Sequence, residues 1–441
     1  MKTAILGAGV SGLALARRMI EQGFDPSDLT LFESGPVAGG LCRSKTVEGF
    51  TYDVTGGHIL FSKDAGTMQW MKDVAGGDDA FVQRDRNTKI RFEDRWVQYP
   101  FENGIGDLPQ QANFDCLKGY VEAWHERKST GSGAPADFKN WIRWRFGDGI
   151  ADHFMDPYNE KIWKRPLEDI TSGWVAGRVP DAPVEDVLRA SIGIKTEGYT
   201  HQAIFYYPKQ GGFQAITDGL ASTLTDRIRL NTRVEHVVRH GEAWRVDGED
   251  FDRVVNTIAM NELPGIVEGL PDDVSAAMSG LAYNSIVCYL VALDRPEHPN
   301  LSWVYLPQHA QGPVNRVTYM SNYSPGNAPE GKTSFLFEVT VRGGSEAPGK
   351  ELEEEVLRGV EASGMMKRDE VLFTDRTFSK YAYIVYDHDL EARRKKSIDW
   401  CEQNQLHPLG RFGHYDYFNS DQCVIAATEM ATRLMQDART G

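Results

Sequence analysis

The sequence predicts an α/β fold built from three interleaved parts, and three observations carry that prediction. A β-α-β unit with a glycine fingerprint opens the chain. A helical stretch rich in tryptophan and tyrosine occupies 105–185. Strand-like runs dominate beyond about residue 200, until a glycine-rich turn and a helix close the sequence. With 441 residues the chain can bury a large core and divide into two or three domains.

The first unit is the most explicit. Thr3–Leu6 is a short apolar run that reads as a buried strand. Gly7, Gly9 and Gly12 then form GxGxxG, and a helix follows with Leu13, Ala16 and Ile20 on one face. Gly23 ends that helix and Leu29–Phe32 is the second strand. Glu33 closes it about 20 residues after Gly12, which completes a dinucleotide fingerprint. The first glycine permits a tight turn, the second lets backbone approach a pyrophosphate, and the third lets helix and strand pack closely. The helix N-terminus supplies free N–H groups and a favourable dipole for the phosphates. A carboxylate at Glu33 would accept from ribose hydroxyls and disfavour a 2′-phosphate.

The helical stretch breaks at 129–135, a Ser/Gly/Pro-rich loop composition. The later strand-like runs are Val254–Ile258, Ile286–Leu293, Val317–Ser321 and Ser334–Val339, and the closing helix lies around Ala426–Gln436. This order predicts a discontinuous Rossmann-like domain from 1–75, 208–262 and 395–441. A helical domain would span 104–190. A mostly antiparallel sheet domain would comprise 76–103, 191–207 and 263–394.

Hydrophobic residues make up 41% and aromatics 11%, a globular composition. No apolar run of about 18 residues suggests a membrane span. The first residues carry no basic stretch or cleavage pattern of a secretory signal. Cys42, Cys116, Cys288, Cys401 and Cys423 are odd in number and form no CxxC pair, so they read as reduced thiols in the cytoplasm. A net charge of −15 argues against nucleic acid or an anionic membrane as partner. An anionic ligand would therefore need arginines placed locally.

Gly39-Gly40-Leu41 and Arg43 follow Glu33. The E-x5-GG-L pattern resembles FAD enzymes of the glutathione-reductase and amine-oxidase type. A narrower resemblance emerges from Gly56-Gly57-His58 running into Phe61-Ser62, from Trp96–Phe101, Gly149–Asp152, Pro157-Tyr158-Asn159, Lys161-Ile162-Trp163, Tyr207-Pro208, Ser321–Pro325 and Gly410–Gly413. In this chain order the motifs resemble the UDP-galactopyranose mutases, closest to their eukaryotic type, across nearly the whole sequence.

That resemblance implies FAD in its reduced, active form. It also implies interconversion of pyranose and furanose forms of a nucleotide-diphosphate sugar through a sugar adduct at flavin N5. It implies cofactor contacts from Gly57, Arg411 and Gln422 besides the two glycine motifs with Leu41 and Glu33. Arg316 would hold a phosphate, Arg178 would lie on a mobile loop near the sugar, and His58 would face the flavin, these three being the catalytic candidates. Tyr323, Tyr383 and Tyr417 would donate hydroxyls to the diphosphate. Tyr99, Phe101, Trp303 and Tyr305 would line the nucleotide, although Trp303 and Tyr305 read equally well as core packing. Arg86 and Thr88 leave direct reduction by NAD(P)H open. Three positions depart from the family pattern. Glu102 replaces a glutamine at the base, Gln202 an asparagine at the sugar, and Asp421 an asparagine at the diphosphate. An ionised Glu102 accepts but cannot donate, which would change the preferred base. The alternative reading is an FAD-dependent oxidase or dehydrogenase of the amine-oxidase or protoporphyrinogen-oxidase type, which would use the same fold on an amine or apolar substrate. The aromatic helices of 105–185 offer a surface for a homo-oligomer.

Overall fold

The structure, a computed structural model, describes residues 1–176, 178–179, 182–196 and 203–440. Thr3–Leu6 lies at the centre of a five-stranded parallel sheet. The spatial order is Leu406–Pro408, Arg253–Asn256, Thr3–Leu6, Leu29–Phe32 and Ile228–Arg229. Every residue of Thr3–Leu6 is buried, as expected for a strand covered on both faces. The helix Val10–Glu21 packs against the closing helix Ser420–Thr440. One end of the parallel sheet thus combines the two ends of the sequence, and ligands in such sheets bind at the carboxyl ends of the strands.

A second sheet has seven strands, in the order Val371–Ile384, Tyr283–Leu293, Thr333–Arg342, Arg316–Thr318, Trp303–Tyr305, Thr88–Phe92 and Arg95–Gln98. Its neighbours are antiparallel except Trp303–Tyr305 with Thr88–Phe92. The register sets Arg316 opposite Glu338, which on its other side faces Cys288. Helices Gln110–Thr130, Phe138–Ile150, Asp156–Trp163 and Val184–Ser191, with a π-helical turn at Ala151–Met155, make the helical part. The fold is the predicted class, an α/β protein with a Rossmann-like parallel sheet, a helical insertion and a mostly antiparallel sheet.

Several expectations shift in detail. The strand read over Val317–Ser321 is Arg316–Thr318, and the chain then turns helically at Met320–Tyr323. Ser324 ends that turn by accepting the Gly326 amide. The closing helix starts at Ser420, earlier than Ala426. Val371–Ile384, fourteen residues long, has no counterpart in the sequence reading. It lies at the sheet edge with alternating exposure, so Asp375, Arg376 and Lys380 interrupt any apolar run. No helix is long and apolar enough to cross a membrane among the described residues.

Candidate functional site

A cleft of about 1370 Å³ runs from the glycine turn across the face between the two sheets and into the helical part. At its first end a side chain on Gly12 would lie 2.3 Å from the Gly7 carbonyl oxygen, so only glycine lets the helix start there. Gly40 has φ +56, and a Cβ on it would lie 3.0 Å from the Gly9 Cα. The amide of Gly39 donates to the Ala8 carbonyl at 2.8 Å. Two glycine turns thus meet backbone to backbone. No side chain caps the helix at Gly9, and Gly9, Val10 and Ser11 line the cleft, so its first-turn amides suit a phosphate. Glu33 accepts the amides of Ala8 at 3.1 Å and Gly35 at 2.8 Å. It ties the turn together and still has lone pairs for ribose hydroxyls. This backbone cradle fits the diphosphate and ribose of a dinucleotide such as FAD. Among the described residues no group of side chains suits a metal ion.

The middle of the cleft is organised by two fully buried carboxylates that the sequence reading missed. Asp53 accepts from the Ser44 hydroxyl, the Tyr207 hydroxyl, the Phe213 amide and the His58 amide. Glu338 accepts from Arg316 Nε at 2.7 Å and the Gly57 amide at 3.2 Å. Arg316 also donates to the Gly57 carbonyl at 3.3 Å. Both acids are 0% exposed, so the loop of Gly57 and His58 is held from below by charge-assisted bonds. Burial raises the Glu338 carboxyl against the opposing pull of Arg316. Burial opposes the charge on Arg316, but Glu338 and three surrounding tyrosines outweigh it and keep the guanidinium charged. The His58 ring stacks on Phe213 at 5.2 Å, and burial holds it below the ordinary histidine range, so it is neutral. A signal for Glu338 did exist: it is the one charge in an otherwise apolar run from Phe335 to Val339.

Around Arg316 the cleft gathers Tyr323, Tyr383, Tyr305 and Trp303. Tyr323 packs against Phe205 and Tyr207, and its hydroxyl has no partner among the described residues. Across the cleft, Tyr417 lies between two guanidinium groups, Arg411 at 4.3 Å and Arg178 at 5.0 Å. Arg178 donates to the carbonyls of Trp174 and Tyr417, and Arg411 to those of Phe418 and Ala382. Gln422 accepts the Asn419 amide at the start of the closing helix, and Asp421 is 8% exposed beside it. Arg86 stacks between Tyr99 and Trp303 and donates to the Thr88 hydroxyl. Thr88 itself is buried under the cleft wall.

The far end is an aromatic ladder. Phe101 stacks on Phe154 at 4.8 Å, Phe154 on Tyr158 at 5.3 Å, and Tyr158 meets Tyr305 edge-on at 5.2 Å. Glu102 closes this end at 5% exposure, with Oε1 buried and without a partner among the described residues. Burial pushes its carboxyl up to about 7. Ionised, Glu102 only accepts, as the sequence implies; protonated, which burial favours up to about 7, it both donates and accepts. The cleft brings together His58, Leu41, Gly57, Tyr99, Phe101, Glu102 and the arginines and tyrosines above. Gly12 and Gly39 support it from beneath. Gln202 lies outside the described residues.

The glycine cradle beneath an antiparallel sheet, with a cation-lined cleft between them, defines a flavoprotein scaffold. The model of the flavin containing amine oxidoreductases matches residues 10–389, and the chain belongs to that family. Within it, the resemblance to UDP-galactopyranose mutase extends over the whole fold. A solved structure of the reduced mutase has a TM-score of 0.91 at 27% identity, covering 99% of this chain and 95% of the other. A fatty acid isomerase from P. acnes (TM-score 0.66, 15% identity, 98% of each chain) and putrescine oxidase (0.65, 16%, 99% of each) share the fold. By sequence the chain is 25% identical over 308 residues to 4,4'-diapophytoene desaturase of Staphylococcus aureus, covering 62% of this chain. That match spans 57% of the desaturase, little more than half its length.

Proposed function

We propose that the chain is a flavin-dependent mutase that interconverts pyranose and furanose forms of a nucleotide-diphosphate sugar, UDP-galactose or a close relative. The observation that carries this reading is the clustering of Arg178, Arg316 and Arg411 with Tyr323, Tyr383 and Tyr417 beside the Gly57–His58 loop. Such a set suits a diphosphate leaving group, which guanidinium forks and phenol hydroxyls bind through charge-assisted hydrogen bonds. A bound, reduced flavin would supply the nucleophile toward the anomeric carbon. The protein would orient the sugar through the Gly57–His58 loop and retain the diphosphate on Arg316, whose guanidinium is fixed by Glu338. The aromatic ladder and Glu102 would hold the base. Arg86, stacked between Tyr99 and Trp303, is our candidate contact for NAD(P)H as reductant.

The sequence match to a desaturase favours a second reading, an oxidoreductase acting on an apolar substrate. The arginine and tyrosine lining weighs against it, because a hydrocarbon would strand those polar groups without partners. The test is anaerobic reduction of the flavoprotein followed by incubation with UDP-galactose in both ring forms, UDP-N-acetylgalactosamine, and GDP-, CDP- and dTDP-hexoses. An isobaric product formed only by reduced enzyme supports the mutase. No conversion of any sugar, with net oxidation of an amine or apolar substrate, supports the second reading.

A further inference from the structure

Lys161 belongs to a motif singled out in the sequence but takes no part in the cleft lining. It sits in the helix Asp156–Trp163 and is 3% exposed. Its ammonium donates to three backbone carbonyls, Gln308 at 2.7 Å, Leu306 at 2.8 Å and Val314 at 3.2 Å. No salt bridge joins it to a carboxylate among the described residues; burial, helped by the neighbouring cation Lys164, pulls its amine down to about 7. Charging a buried amine without an anion is costly, and an apolar side chain of similar volume is often the more stable choice. Stability alone therefore does not explain a lysine here.

What the three carbonyls share is position. Leu306 directly follows Tyr305, and Val314 precedes Arg316 by two residues. The loop between them is closed by the Leu306 amide bonding the Asn315 carbonyl. The Asn315 amide then bonds the backbone carbonyl of Glu338, whose side chain holds Arg316 and Gly57. On the other side, the helix that carries Lys161 presents Tyr158, Asn159, Ile162 and Trp163 to the cleft. Its C-terminal end is pinned by Asn284, which donates to the carbonyls of Ile162 and Trp163. Tyr158 on the helix and Tyr305 on the hairpin meet edge-on. Lys161 is thus a three-point tie between the two walls of the cleft.

We propose that Lys161 is a positioning residue, which sets the spacing between the helix bearing Tyr158 and the hairpin bearing Tyr305 and Arg316, and through it the geometry of diphosphate binding. The inference rests on the reading of the cleft as a nucleotide-diphosphate site. The test uses the flavin-loaded protein and its Lys161→Met and Lys161→Gln variants. Flavin content, thermal midpoint, and UDP affinity by calorimetry are measured for each. The Met variant is expected to keep flavin, to lose some thermal midpoint because three buried carbonyls lose their donor, and to bind UDP about tenfold more weakly, since displacing one wall of the cleft loosens the charge-assisted bonds to the diphosphate. The Gln variant, with two N–H donors left, is expected to fall between. A purely structural lysine would lower the midpoint and leave the affinity alone. UDP affinity of the Met variant equal to that of wild type overturns the proposal, as does failure of both variants to retain flavin. Absence of UDP binding by the wild type sinks instead the nucleotide-diphosphate reading of the cleft.

Discussion

The Glu102→Gln variant gives the sharpest test of how the aromatic end of the cleft works. The carboxyl of Glu102 is pushed by burial from an ordinary value of 4.5 up to about 7. Arg145, on the helix Phe138–Ile150, pulls the other way, and Tyr99 faces it from the preceding turn. Below pH 4.5 the group is protonated in both the folded and unfolded chain and contributes no pH dependence. As pH rises, the unfolded chain ionises first, so the fold loses stability until the buried group also ionises near pH 7. Each pH unit across that window is worth about 1.4 kcal/mol, which accumulates to a penalty of about 3 kcal/mol on the alkaline side. Glutamine has the same shape and no such titration. The variant should match wild type at acid pH and exceed its thermal midpoint by about 3 °C on the alkaline side, for a chain of this length. Thermal scans of both proteins across pH measure this. A midpoint difference that does not change with pH would refute the reasoning. On the reading of the cleft as a nucleotide-sugar site, the same titration governs ligand choice. A base offering a carbonyl needs the protonated acid, so binding of a uracil nucleotide should weaken above neutral pH in wild type and stay level in the variant.

Other consequences follow from the same geometry. Arg316→Ala leaves Glu338 buried without its partner, so it should cost about 3–5 kcal/mol by denaturation and abolish UDP binding. Adding Glu338→Gln should restore stability without restoring binding; recovery of binding by the double variant would disprove the role of Arg316. Gly12→Ala places a carbon against the Gly7 carbonyl oxygen, and the purified variant should lack flavin absorbance while retaining most of its far-ultraviolet circular dichroism. His58 is held neutral by burial, so acid should protonate the unfolded chain first and destabilise the fold below the ordinary histidine range. His58→Gln should remove that part of the acid sensitivity, as thermal scans would show. All five cysteines are buried and free, so a bulky thiol reagent should label none in the native protein and five after denaturation.

The β-α-β unit was legible because its information is local. GxGxxG, the periodic helix and Glu33 all lie within one short span, and each glycine answers a contact that sequence spacing already defines. The strand Val371–Ile384 was not legible, because its partner Tyr283–Leu293 supplies the pairing and its Arg376 and Lys380 are exposed. The arginines and tyrosines of the cleft could be nominated by motif, yet the pairing of Tyr417 with both Arg178 and Arg411 joins segments far apart in the chain. Asp53 and Glu338 acquire their roles wholly through tertiary contacts: nothing next to Glu338 in sequence indicates that it will meet Arg316 and Gly57. Glu102 shows the same limit in electrostatic form. Its identity is plain in the sequence, but its protonation state depends on burial by residues from the helical part.

The charge balance of the cleft connects these details to the choice between the two functional readings. The chain carries −15 overall, yet Asp53 and Glu338, the two acids beneath the middle of the cleft, are fully buried and do not line it. Asp53 is spent on four donors and Glu338 on two. Glu102 is brought toward neutrality by burial. The guanidinium groups of Arg178 and Arg411 are instead fixed by backbone carbonyls, which orient them without cancelling their charge. Fixed, uncancelled cations inside a low-dielectric cleft interact with an anion far more strongly than the same groups in water. A redox-neutral mutase must release a diphosphate from the sugar and return it to the same sugar, so the leaving group has to stay bound throughout. A desaturase or amine oxidase has no comparable need for a retained dianion. On our reading, this is why three arginines converge in a chain whose bulk charge would repel the ligand.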